Sequence, residues 1–134
     1  MPMYLSSLAH ANAELREFDA AWRCTYEALA LVKTTRESWY EAEVNRIAGE
    51  VVLLSREPEA ARAETYFEHA LTVARQQQAK AWELRAAISM AQLWRDQGKQ
   101  DEARDLLAPV YGWFKKGFDT VDLKEAKALL DALA

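Results

Sequence analysis

The chain has 134 residues, a net charge of −4 and 51% hydrophobic residues, which is one domain's worth of length with enough apolar material for a core. Gly and Pro are few, at four and three, while Ala, Leu, Glu, Arg and Gln abound, so helix is favoured over strand and low-complexity linkers are not expected. The acidic excess is spread along the chain, which argues against the basic patch of a nucleic-acid or anionic-membrane binder, and no run of roughly 18 apolar residues marks a membrane span.

The first predicted helix covers 3–16, with Leu5, Leu8, Ala9 and Asn12 at helical spacing. A turn at 16–19 leads into a second helix over 19–34, with Ala21, Ala28, Leu29 and Val32 on one face. Ser38 is placed to cap a third, 38–55, whose Trp39, Tyr40, Val44, Ile47, Gly49, Val52 and Leu53 recur at three and four residues. Glu57-Pro58 marks the next turn, since proline suits a helix's first position and drives the residue before it out of helical geometry. Helices over 59–77, 79–97 and 100–115 follow, with Gly98 ending the middle one in the left-handed conformation. Pro109 is expected to kink or shorten the sixth helix, because its ring nitrogen cannot donate to the carbonyl four residues back. Gly112 and Gly117 loosen the segment that follows. A last helix over 121–133 carries Leu123, Ala126, Leu129, Leu130 and Leu133 on one side and charges on the other, as a terminal cap must.

A repeat is visible by subtraction. Ala9, Gly49 and Ala91 are 40 and 42 residues apart; Ala21, Ala63 and Ala103 are 42 and 40 apart. Thr25, Phe67 and Leu107 follow the second set four residues later, and then come Ala28, Ala70 and Val110. Small residues recurring in step sit where two helices must approach closely, and large ones fill the gaps. The expected fold is therefore all-α: an α-solenoid of three antiparallel hairpins, at 3–34, 38–77 and 79–115, plus a C-terminal capping helix at 121–133.

Trp94, Gly98, Ala103, Leu107 and Val110 follow a pattern that resembles the tetratricopeptide repeat, a helix–turn–helix unit with small and aromatic residues at fixed offsets. The strings AETYFEHALTVARQQQAKAWELRAA at 63–87, LWRDQGKQDEARDLLAPVYGWF at 93–114 and GFDTVDLKEAKALL at 117–130 resemble a narrower group. That group is the C-terminal repeat region of large bacterial signalling proteins with a predicted ATPase module, often joined to a class III adenylate cyclase or a DNA-binding activator domain. The resemblance implies that the chain is the C-terminal part of a longer protein. The phosphate loop G-x-x-x-x-G-K-[ST] is absent, so it carries no ATPase assignment to these residues.

Catalytic chemistry finds little support. His10 and His69, the two histidines, fall in different repeats with no Cys/His cluster, so neither a metal nor another cofactor is expected. No strand–turn–helix elbow presents a nucleophile. Glu43–Arg46 and Glu64–Glu68 read as solvated pairs on helix surfaces rather than as an acid–base couple. The lone Cys24 reads as a small buried side chain, and with no internal disulfide and no signal-peptide plan at residues 1–7 the expected location is cytoplasmic. Of the five tryptophans, Trp22, Trp39, Trp82 and Trp94 read as packing; Trp113, with Phe114 and Phe118, is a candidate exposed aromatic patch.

The expected working surface is the concave side lined by the first helix of each hairpin. Taking the small residues as the inter-helix contacts places Ser6, His10, Glu43, Arg46, Glu50, Arg85, Ser89, Gln92 and Arg95 toward that groove. A mixed polar set of this kind suits a peptide or helical segment of a partner protein, or of another domain of the same parent. Homodimerisation through Leu5 and Leu8 on an uncapped first helix, and regulation of an attached ATPase, cyclase or activator domain, are the alternatives. Neither nucleic acid nor membrane is an expected partner.

Overall fold

A computed structural model of the chain describes residues 9–11, 17–35, 41–54, 59–114 and 121–133. Every regular element among them is a helix, and no strand occurs. They are α1 (residues 9–11), α2 (Phe18–Thr35), α3 (Glu41–Leu54), α4 (Ala60–Gln76), α5 (Lys80–Asp96), α6 (Gln100–Trp113) and α7 (Val121–Leu133). The boundaries of α2 to α7 lie within three residues of those expected from periodicity. Leu5, Ser6 and Leu8, the cap at Ser38, Trp39, the Glu57-Pro58 turn, Gly117 and Phe118 lie outside the described residues. Among the described residues no helix is long and apolar enough to cross a membrane.

The two tight turns on either side of α5 close in the same way. After α5, Gly98 has φ +81°; its N–H donates to Arg95 O at 3.0 Å, and Lys99 N–H reaches back to Trp94 O at 2.8 Å. After α4, Gln78 has φ +54°, with Gln78 N–H on Arg75 O at 3.1 Å and Ala79 N–H on Ala74 O at 2.9 Å. Both are six-to-one, five-to-two closures that satisfy carbonyls a helix end would leave bare. Glycine announces the first in sequence. Gln78 adopts the same conformation without announcing it.

Pro109 lies inside α6, as in the expected span 100–115, and the helix runs through it to end at Trp113. The lost bond would have fallen on the carbonyl of Asp105, and both Asp105 and Pro109 are exposed, so water can satisfy it.

Each of α2 to α7 packs against its neighbours in sequence, and α5 also touches α3 and α7. The backbones of α2, α4 and α6 stay apart. Long side chains bridge α2 to α4 instead: Trp22 stacks on Tyr26 at 5.3 Å, and the Arg62 guanidinium lies 4.4 Å over Trp22 while donating to Tyr26 Oη at 3.3 Å. With four partners, α5 is buried nearly all round, at Leu84, Ala86, Ala87, Ile88, Ser89, Met90, Ala91 and Leu93. The repeat alanines Ala9, Ala21, Ala63, Ala91 and Ala103 are all fully buried. Cys24 is half-buried against Ala9, Ala21, Ile47 and Val51 rather than enclosed.

Candidate interaction groove

Helical spacing puts Glu43, Arg46 and Glu50 on one face of α3, and Arg85, Ser89 and Gln92 on one face of α5. Because α3, α5 and α7 lie side by side, the two faces adjoin, and α7 adds Asp122 and Glu125. A cleft of about 70 Å³ is lined by Arg46, Glu50, Arg85, Ile88, Ser89, Gln92, Asp122 and Glu125.

Glu43 organises it from below. The side chain is 1% exposed, and its Oε1 accepts from Arg46 Nε at 3.0 Å and pairs with Arg85 Nη1 at 3.0 Å, so one oxygen joins α3 to α5. The Glu43–Arg46 pair, expected from spacing to be solvated, is instead enclosed, because Arg85 of α5 reaches Glu43 and covers it. Arg46 Nη1 donates to Ser89 Oγ at 3.4 Å, and Ser89 Oγ donates to Glu50 Oε1 at 2.8 Å. Arg85 Nε lies 3.7 Å from Asp122 Oδ2, and Gln92 Nε2 donates to Glu125 Oε1 at 3.1 Å, so polar contacts cross from α3 to α5 to α7.

Burial works against the Arg46 charge, but its hydrogen bond to Glu43 and the fields of Glu43, Glu50 and Asp122 outweigh it and raise its pKa. The guanidinium is held charged and in place. Glu43 Oε2 is buried and has no hydrogen-bond partner among the described residues.

The structure brings together Glu43, Arg46, Glu50, Arg85, Ser89 and Gln92 of the residues placed toward the concave side. Arg95 is not among them: it is exposed, does not line the cleft and pairs with Asp96 at 3.2 Å. His10 is half-buried on α1 and also does not line it. Ser6 lies outside the described residues. Asp122 and Glu125 escaped notice because α7 reads as a cap. Their signal is a pair of acids three apart, each next to a residue of the apolar stripe, as on the inner faces of α3 and α5.

Of the expected aromatic patch, Phe118 lies outside the described residues, and Trp113 and Phe114 differ in exposure. Trp113 is 55% exposed and has Lys80 Nζ 5.4 Å from its ring centre. Phe114 turns inward, half-buried on the core with its ring edge-on to Trp113 at 5.1 Å. Beside Trp113 a second cleft is lined by Arg75, Lys80, Glu83, Leu106 and Pro109, where Glu83 pairs with both Arg75 and Lys80. Glu64 is not the solvated acid expected either: it accepts from Trp94 Nε1 at 2.9 Å.

Comparison of the chain with family models, with curated proteins and with solved structures found no match in any of the three.

Proposed function

We propose that this chain is a non-catalytic protein-interaction module, built as a short solenoid of tetratricopeptide type and working through the α3–α5–α7 face. The observation that carries the reading is one of packing: alternate helices α3, α5 and α7 touch in a row while the backbones of α2, α4 and α6 do not. A closed bundle would cross its hairpins, whereas stacked hairpins give a continuous layer of first-type helices and an open inner surface. In this reading α7 is a fourth first-type helix whose outer side is wet. The polar side chains of that layer are pinned by one another, so a bound segment meets a preorganised surface and orders little of it on docking.

The test is selection of random displayed peptides on the full chain. Enrichment is expected, and it is expected to vanish for Gln92→Trp, which fills the cleft, and to persist for Arg95→Ala, which lies outside it. Failure to enrich any sequence, or equal enrichment on Gln92→Trp, would count against the module and its face.

A further inference from the structure

We infer that the α3–α5–α7 cleft takes a cationic side chain, a lysine or arginine presented by a protein segment. This rests on the reading of that face as an interaction surface and specifies what it selects. Three carboxylates, Glu50, Asp122 and Glu125, line the cleft with two guanidiniums, Arg46 and Arg85, and a fourth, Glu43, is buried against both guanidiniums. Both arginines are already committed to Glu43 Oε1, the one oxygen on which their hydrogen-bond-length contacts to an acid converge. The rim acids are served only loosely: Glu50 is 3.8 Å from Arg46 and Asp122 is 3.7 Å from Arg85, both beyond hydrogen-bond distance. Glu50 and Glu125 each accept one neutral donor, from Ser89 and Gln92, and a carboxylate has room for about four. The second oxygen of Glu43 is buried and has no hydrogen-bond partner among the described residues, so the acid beneath the cleft is not fully served by the two arginines either.

Among the described residues these six groups therefore leave a surplus of two negative charges at a cleft of about 70 Å³, several times the roughly 10–15 Å³ that one water requires. An ammonium or guanidinium group fits that space. Among the described residues no three His, Cys, Asp or Glu side chains converge as metal ligands would, so the carboxylates suit an extended organic cation with several donors better than a metal ion. An acidic segment would face the three carboxylates of Glu50, Asp122 and Glu125 with both arginines already taken, which selects against it.

The probes are four pools of short, fluorescently labelled degenerate peptides with lysine, arginine, glutamate or leucine fixed at the centre, titrated onto the full chain by anisotropy. The lysine and arginine pools are expected to bind at least about fivefold more tightly than the other two, and to weaken as salt rises. Asp122→Asn with Glu125→Gln, the first half-buried and the second exposed, is expected to remove that preference while leaving the circular dichroism unchanged. Arg95→Ala serves as the control and is expected to change nothing. Glutamate or leucine pools binding as well as the basic ones, or a preference that survives the double variant, would overturn the cation assignment and leave the interaction module standing. Absence of binding by every pool would overturn both.

Discussion

The ring of Phe67 occupies the space that a side chain on Gly49 would need. A Cβ at Gly49 would lie 2.5 Å from Phe67 Cε1 and 2.7 Å from Cδ1, and the ring is fully buried, so it has nowhere to swing. Gly49 belongs to α3 and Phe67 to α4, and they are the first-helix and second-helix landmarks of one repeat. In the next repeat the corresponding pair is Ala91 and Leu107, both fully buried. A smaller residue on one side goes with a larger one on the other.

That complementarity predicts the outcome of a double-mutant cycle. Gly49→Ala should gain about 1 kcal/mol of helix propensity and lose about 1–3 kcal/mol to overpacking, so the net effect is destabilising. Phe67→Leu alone should cost about 1–2 kcal/mol for the void it leaves. Combined, the two reproduce the Ala91–Leu107 arrangement, and the double variant should be more stable than the sum of the single changes by about 1 kcal/mol or more. Urea unfolding of the four proteins checks this; strict additivity would show that the ring and the glycine do not constrain each other.

The two turns flanking α5 give a second prediction with opposite signs at matching positions. Gly98 has nothing within 4 Å of a built Cβ, so Gly98→Ala meets no clash and should lose about 1 kcal/mol through its positive φ alone. Gln78 is exposed and already carries that strain, so Gln78→Gly should gain about 0.5–1 kcal/mol. Thermal unfolding of both variants is the measurement. A destabilised Gln78→Gly would mean that the glutamine side chain holds the turn.

Helix boundaries and the polar residues that adjoin on α3 and α5 are legible in the sequence for one reason. The small residues of the repeat fix which side of each helix meets its partner, and the remaining polar positions on α3 and α5 must then face outward together. Glu43, Arg46, Glu50, Arg85, Ser89 and Gln92 follow from that register. Burial does not, because it depends on what arrives from another unit: Glu43 looks like a surface acid on α3 until Arg85 of α5 covers it. Asp122 and Glu125 were missed because α7 lies beyond the last landmark of the repeat. Local rules failed at Gln78, where chain closure imposes a glycine conformation on a glutamine.

The enclosed acid makes a sharper claim about stability. Glu43→Ala removes the oxygen that both arginines share and leaves Arg46, 15% exposed, without its closest counter-charge. Breaking a pair this enclosed should cost about 2–4 kcal/mol, toward the lower part of that range because Arg85 is 34% exposed and can turn to solvent. Arg85→Met should cost under about 1 kcal/mol, since Arg46 still satisfies Glu43. Because the Arg46 pKa is raised by folding, its contribution is fully present below the unfolded arginine value and constant near neutrality. Denaturant unfolding at neutral pH decides the matter: equal effects of the two substitutions would contradict the shared-oxygen account.

The last prediction concerns α7, which packs on both α5 and α6. Its Leu123, Ala126, Leu129 and Leu133 are buried against α5 and α6, and Arg104 Nη1 of α6 donates to the Leu133 carbonyl at 3.2 Å. Leu129→Ala should cost about 2–4 kcal/mol by opening a void at that seam. The loss should be local, since the backbones of α3 and α7 stay apart and α3 packs directly on α4. Hydrogen exchange is therefore expected to rise over 121–133 and along α6 while α3 and α4 keep their protection. Uniform loss of protection across all the helices would instead show that the units unfold as one and that α7 holds the whole stack together.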